Sequence, residues 1–147
     1  MTGGLKQQLR RLKSIAEQER LNGLALGDEP TFAAVIADYE VRLRTYDALE
    51  LRTLGQKEPG VEASYLKILG TDLQQLATEL TLRAVQYYGN PYIRDALQFG
   101  YNNSPLGPGY AAPAAPQYFN FRKTSIHAGS NEIQRNIIFW YCIWIKS

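Results

Sequence analysis

Leu5, Leu9, Leu12 and Ala16 recur at spacings of four, three and four, with Gln7, Arg10, Arg11 and Glu17 mostly between them. A period near 3.6 places the apolar set on one stripe of a helix. Asn22-Gly23 supplies a stop, because both residues tolerate the left-handed backbone that ends helices. Asp28-Glu29-Pro30 marks the next start. Asp28 can cap free amides, acidic charge opposes the positive end of the helix dipole, and Pro30 stands where a missing N–H costs nothing. Phe32, Ile36, Tyr39, Leu43 and Tyr46 then predict a long helix to about Leu54, punctuated by Gly55 and Pro59.

A third helix is predicted over 61–87, with the stripe Leu66, Leu69, Leu73, Leu76, Leu80 and Ala84. Its spacing is close to a heptad seam and suits antiparallel packing. Gly70 lowers helix propensity there by about 1 kcal/mol relative to Ala, and admits close approach of a neighbour. Gly89-Asn90-Pro91 ends the run. Over 99–117 the period vanishes among Pro105, Pro108, Pro113 and Pro116, which predicts an irregular surface loop. Tyr118-Phe119-Asn120-Phe121 is expected to pin the loop's far end into a groove. A last helix is predicted from Gly129-Ser130, with the stripe Ile133, Ile137, Trp140 and Trp144. Four helices, short early connections and one long crossover read as an all-α antiparallel helical bundle, one domain over 1–147.

Composition narrows the function classes. The 147 residues fit one domain and can bury about 68–70% of their unfolded surface without staples. Sixteen Lys plus Arg against 14 Asp plus Glu leave a net charge of +2, too little to draw nucleic acid or anionic lipid. The single cysteine, Cys142, excludes an intramolecular disulfide framework and any Cys-based metal cluster. Residues 1–6 have no apolar stretch of the kind a signal peptide carries. The longest apolar run, 137–145, is about half of the roughly 20 residues a spanning helix requires. A cytoplasmic chain that binds neither nucleic acid nor membrane is therefore expected.

Candidate chemistry is sparse. His127 is the only histidine, no Gly-x-Ser-x-Gly elbow is present, and Glu132 is the one carboxylate near it. His127 reads as a packed or hydrogen-bonding structural residue, and Cys142 as a buried, inert small hydrophobe. The most informative segment is Gly129-Ser130-Asn131-Glu132-Ile133-Gln134-Arg135. Glycine and serine at a helix start leave backbone amides pointing one way, which can hold an anion or only water.

Ser125-Ile126-His127-Ala128-Gly129-Ser130-Asn131-Glu132-Ile133-Gln134-Arg135-Asn136-Ile137-Ile138 resembles the C-terminal signature of the acyl-CoA dehydrogenases. Ala63-Ser64-Tyr65-Leu66-Lys67 is similar to that family's Ala-Ser-x-x-Lys segment, and Asp28-Glu29-Pro30 to its acidic pair before a helix. Ala84-Val85-Gln86-Tyr87-Tyr88-Gly89 resembles the end of the penultimate helix. The loop 107–116, followed by Tyr118-Phe119-Asn120, looks like a bacterial subgroup that includes the large subunits of pimeloyl-CoA-type dehydrogenases. The likeness covers about Leu5 to Ile138.

The resemblance implies a flavoprotein that oxidises the Cα–Cβ bond of acyl-CoA thioesters. In such a protein FAD carries the redox step and an electron-transfer flavoprotein collects the electrons. It implies that Ser130, Asn131 and Glu132 touch FAD at the helix start. Gln86 and Gly89 would contact the FAD of a neighbouring subunit in a homo- or hetero-oligomer.

Three departures accompany the likeness. By the resemblance the chain begins inside the family's C-terminal bundle, so an N-terminal helical domain, a central β domain and the bundle's first helix are expected to be absent from it. Ala128 stands where many members place the catalytic Glu, and alanine abstracts no proton. Either the base lies on an earlier helix, or the chain is a non-catalytic partner in a hetero-oligomer. Asn90-Pro91 replaces the glycine that usually follows Gly89. The tail 139–147 is atypical too, and reads either as a buried terminal helix or as a truncated or shifted reading frame. Two functions follow: the FAD-contacting, oligomerising domain of a dehydrogenase, inactive alone, or a helical interaction subunit that has lost flavin. In either case faces meant for absent domains are expected to be exposed.

Overall fold

The computed structural model of the chain describes residues 2–58, 60–104 and 106–144. Five α-helices carry it: α1 (Thr2–Gln18), α2 (Pro30–Leu54), α3 (Glu62–Ala84), α4 (Ala114–Phe121) and α5 (Asn131–Trp144). The α1 stripe lies in the core as its period predicts, with Leu12 and Ala16 at 0% exposure. Phe32, Ile36, Tyr39, Leu43 and Tyr46 of α2 are all buried against it. Hydrogen bonds from Thr2 to Glu50 and Lys6 to Asp47, and from Lys13 to Glu40, run the two helices antiparallel. The expected all-α antiparallel bundle is present.

The central element is α3, which packs on α1, α2, α4 and α5. Leu73, Leu80 and Ala84 of its predicted stripe are buried, whereas Leu69 is exposed. A second buried face of Gly70, Thr71, Ala77, Thr78 and Thr81 was not legible as a stripe. Its hydroxyls remain satisfied inside the helix: Thr71 donates to Lys67 O at 2.7 Å and Thr81 to Ala77 O at 2.8 Å. Small residues on that side let the neighbouring backbones approach.

Several local expectations are corrected. Asn22-Gly23 does not stop α1, which ends at Gln18. It forms the two-residue turn of a hairpin between β1 (Arg20–Leu21) and β2 (Leu24–Ala25), with φ of 53° and 86° at the two turn residues. The cap of α2 is Glu29, not Asp28, which sits in a 3-10 turn. The third helix stops at Ala84, and a 3-10 turn continues over Gln86–Gly89.

The irregular loop expected over 99–117 is overturned at its end. Ala111, Ala112, Ala114 and Ala115 are buried, and α4 begins at Ala114. Prolines 113 and 116 fall at the cap and first turn of α4, where no N–H is needed. Of the aromatic residues expected to pin this segment, Phe119 is exposed and meets Tyr92 edge to face at 5.6 Å, whereas Tyr118 and Phe121 are half-buried and Phe121 lines a cleft against α1 and α3. Arg122 also holds the segment, donating to Gln75 O at 2.7 Å and lying 4.4 Å over the Tyr118 ring.

The predicted stripe of α5 is real but uncovered. Ile133, Ile137, Trp140 and Trp144 are 45–75% exposed. The helix meets α3 along its other edge, where Ile138 and Cys142 face Tyr65 and Ile68 across an apolar groove. Cys142 is exposed, not buried as expected, because that groove stays open. Residues 145–147 of the atypical tail lie outside the described residues.

Candidate functional site

Two consecutive left-handed residues, Ala128 (φ 56°) and Gly129 (φ 88°), reverse the chain immediately before α5. Glycine is suited to this conformation, and a Cβ at Gly129 would also stand 2.9 Å from the Gln134 side chain. Ser130 then caps the helix: its Oγ accepts from Ile133 N at 3.3 Å and its carbonyl from Gln134 N at 3.1 Å. The Glu132 carboxyl is held below the ordinary carboxylate range, first by its own backbone N–H and then by the Ser130 hydroxyl. Arg135 stands 3.8 Å away in an exposed pair that screening weakens.

Asn131 is the one buried residue of α5, at 4% exposure. Its Oδ1 accepts from Lys67 Nζ at 2.6 Å. The same ammonium donates to Thr124 O and Ser125 O, each at 3.2 Å. About two turns further along α3, Gln75 Nε2 reaches Arg122 O at 3.1 Å. Lys67 and Gln75 therefore fasten the approach to α5 onto α3 at separations of 46 to 64 residues in sequence. Sequence reasoning found Lys67 only as part of a motif and did not find Gln75 or Arg122. A lone lysine within an otherwise apolar helix segment was the available signal.

The remaining candidate residues lie elsewhere. Gln86 adopts φ 51° and donates from Nε2 to Arg20 O at 3.2 Å. Gly89 is buried, and a Cβ there would press within 2.7 Å of Leu82. These two stand beyond the C-terminal end of α3, whereas Lys67 and the α5 start are near its N-terminal end. The ends are roughly 25 Å apart at 1.5 Å per residue. The structure thus joins Ser130, Asn131 and Glu132 in one place and leaves Gln86 and Gly89 in another. His127 is exposed rather than packed, and its backbone N–H donates to Lys123 O at 3.1 Å. Ala128 is exposed beside Ser130 and offers no titratable group.

Chemically, the α5 start presents a hydroxyl and a carboxylate within one turn, and these engage the Ile133 and Glu132 backbone N–H groups. It can bind a polar, hydroxyl-bearing group, and it contains no nucleophile–base pair.

No curated protein matches the chain by sequence. Its fold is shared with the butyryl-CoA dehydrogenase of Megasphaera elsdenii (TM-score 0.73, 16% identity), covering 97% of this chain and 33% of that one. It also resembles a chain in the ChsE4-ChsE5 complex from Mycobacterium tuberculosis (TM-score 0.69, 20% identity, 94% and 34%). A third likeness is to a structure of the electron transferring flavoprotein of Acidaminococcus fermentans (TM-score 0.67, 16% identity, 92% and 32%). The chain spans about a third of each of these structures. A family model described as the acyl-CoA dehydrogenase C-terminal domain matches residues 1–139, so the chain belongs to the acyl-CoA dehydrogenase family through that domain.

Proposed function

We propose that this chain is the FAD-contacting and oligomerising C-terminal domain of a flavin-dependent acyl-CoA dehydrogenase, inactive as an isolated chain. The observation that carries this reading is the α5 start, capped by Ser130 and fixed to α3 through Asn131 and Lys67. FAD, when bound, supplies the hydride-accepting step. The chain's own residues would supply the Ser130 hydroxyl and the Glu132 carboxylate, which suit the hydroxyls of a dinucleotide, and the Glu132 and Ile133 amides would meet its phosphates on release from the Glu132 carboxylate and Ser130 Oγ. Asn131 would act by position, because Lys67 engages its oxygen. Gln86 and Gly89, in the 3-10 turn beyond α3, would serve the cofactor of a neighbouring subunit.

Ala128 leaves this chain without a base at the α5 start, so proton abstraction would fall to a residue elsewhere in the complete enzyme. Acyl-CoA and an electron-transfer flavoprotein would be met through that enzyme, in a homo- or hetero-oligomer. The loop 107–116 supports the finer reading of a pimeloyl-CoA-type large subunit. Among the described residues no helix is long and apolar enough to cross a membrane, and we place the chain in the cytoplasm.

The test is to purify the chain alone and with a candidate partner subunit, then measure flavin absorbance and acyl-CoA-dependent dye reduction. Flavin in the assembly and activity only there are expected. Turnover by the chain alone, or no flavin in any assembly, overturns the reading.

A second reading, a helical interaction subunit without flavin, is favoured by the Glu132 carboxylate already lying on its own amide. Ser130→Ala combined with Glu132→Ala separates the two. Loss of flavin with assembly intact supports the first, and no change in either supports the second.

A further inference from the structure

The outward face of α5 has the pattern of a helix–helix seam. Ile133, Ile137, Trp140 and Trp144 follow one another by four, three and four, the spacing at which two helices interlock, and all four are 45–75% exposed. Asn131, on the opposite face, is fixed to α3 through Lys67, so packing within the chain turns the seam away from the core. Between Ile133, Asn136, Ile137, Trp140, Tyr141 and Trp144 the surface is concave, with about 420 Å3 of almost wholly apolar space. Such a hollow resembles the hole that receives a side chain of a facing helix.

Three features make a second copy of this chain the fitting occupant. The seam has the same spacing read from either end. Antiparallel pairing about a two-fold axis midway between Ile137 and Trp140 sets Ile133 against Trp144 of the second copy, and Ile137 against Trp140 of the second copy. Every layer then joins one isoleucine to one tryptophan, a larger side chain to a smaller one, whereas parallel pairing crowds tryptophan on tryptophan. The borders of the seam are also uncharged. Gln134, Asn136, Tyr141 and Ile143 flank it, and Glu132 and Arg135, the only charged residues of α5, lie off it, so a second copy meets no like charge. Area is the third feature. At roughly 150–250 Å2 per side chain, the exposed fractions of the four seam residues, Tyr141 and Ile143 come to on the order of 600 Å2 per copy. A pair then buries about 1,200 Å2, above the roughly 1,000 Å2 that a specific interface needs.

We propose that α5 pairs antiparallel with α5 of a second copy of this chain, with Ile137 and Trp140 forming the two central layers. The inference gives the oligomerising part of the proposed function a surface and rests on that part, while using nothing of the flavin contact at Ser130, Asn131 and Glu132.

Sedimentation equilibrium of the full chain from about 1 to 200 μM reads the assembly, and a monomer–dimer equilibrium is expected. Ile137→Glu and Trp140→Lys should each weaken dimerisation roughly hundredfold, because each buries two unpaired charges in the central layers. Helix content by circular dichroism should stay unchanged, since both positions are exposed in the single chain. Mixing the two variants tests the register. Only in the antiparallel arrangement does the introduced carboxylate of one chain face the introduced ammonium of the other, while the second central layer remains isoleucine on tryptophan. The mixture should therefore dimerise about tenfold more tightly than either variant alone. A monomer at every concentration, dimers indifferent to both substitutions, or loss without rescue in the mixture overturns the proposal. Indifferent dimers would leave the oligomerising reading standing on another surface. Absence of flavin from every assembly would remove the flavin contact and leave the α5 pairing untouched, so the two readings fail separately.

Discussion

Two helices of this chain carry the same apolar spacing and meet opposite fates. In α1, Leu5, Leu9, Leu12 and Ala16 follow one another by four, three and four, and all are at most 9% exposed. In α5, Ile133, Ile137, Trp140 and Trp144 repeat that spacing, and all are at least 45% exposed. Periodicity fixes which residues share a face, because it follows from helical geometry alone. Coverage depends on whether another element arrives. α2 and α3 close over α1, while α5 offers its stripe to no described element of comparable size. An exposed apolar stripe of this extent is the kind of surface at which other protein surfaces dock.

The largest effect should appear where the comparison is most lopsided. Leu12→Ala removes a side chain at 0% exposure and should lower unfolding stability by about 2–5 kcal/mol. Ile137→Ala, at 45% exposure, should change it by no more than about 0.5 kcal/mol. Urea denaturation of both variants decides the matter, and comparable losses would mean that the α5 stripe is covered after all. Ranked next is Lys67→Met, which leaves three acceptors at the α5 approach without their donor. It should cost about 1–3 kcal/mol. Hydrogen exchange should localise the loss to the first turn of α5, with α1 amides unaffected. Uniform loss across both helices would show that α5 is part of the same cooperative unit.

A smaller, colloidal effect should accompany the exposed face. Replacing Ile137 and Trp140 together with serine should reduce self-association in light scattering and dye binding to apolar surface, without lowering the melting temperature. A drop in melting temperature instead would reveal a packing role that their exposure does not show.

The same contrast explains how far the sequence could be read. The stripes of α1 and α2 were legible because each buries one continuous face of large residues. The central helix hid its second face, since Gly70, Thr71, Ala77 and Thr78 are not apolar enough to register as a stripe. α4 was obscured by Pro113 and Pro116, which break helices in the interior but are tolerated where they stand. At the candidate site, the Ser130 cap is a local feature and was visible. The Lys67 clamp was not, because its partner carbonyls lie 57 and 58 residues away and carry no side-chain signal. The exposure of Cys142 was misjudged for the same reason as the stripe around it.

The finest test compares the carboxylates at the two helix starts. Glu29 accepts from Thr31 N at 3.1 Å and Phe32 N at 2.7 Å at the head of α2, and Glu132 lies on its own amide at the head of α5. Backbone hydrogen bonding is the first cause that lowers both below the usual carboxylate value of 4.5. A group whose folded pKa is depressed contributes stability that is present above its unfolded pKa and lost as pH falls through the folded one. Both contributions should therefore disappear below about pH 4.5. Their reach should differ. α2 belongs to the closed core, so Glu29→Gln should flatten the acid limb of global unfolding. α5 is anchored mainly at its start, so Glu132→Gln should leave that limb unchanged and alter only first-turn exchange protection. Acid titrations of the two variants by circular dichroism, with hydrogen exchange beside them, read both effects. If Glu132→Gln flattens the global limb as much as Glu29→Gln, then the helix with the uncovered stripe unfolds together with the core, and the distinction between the two regions is one of exposure only.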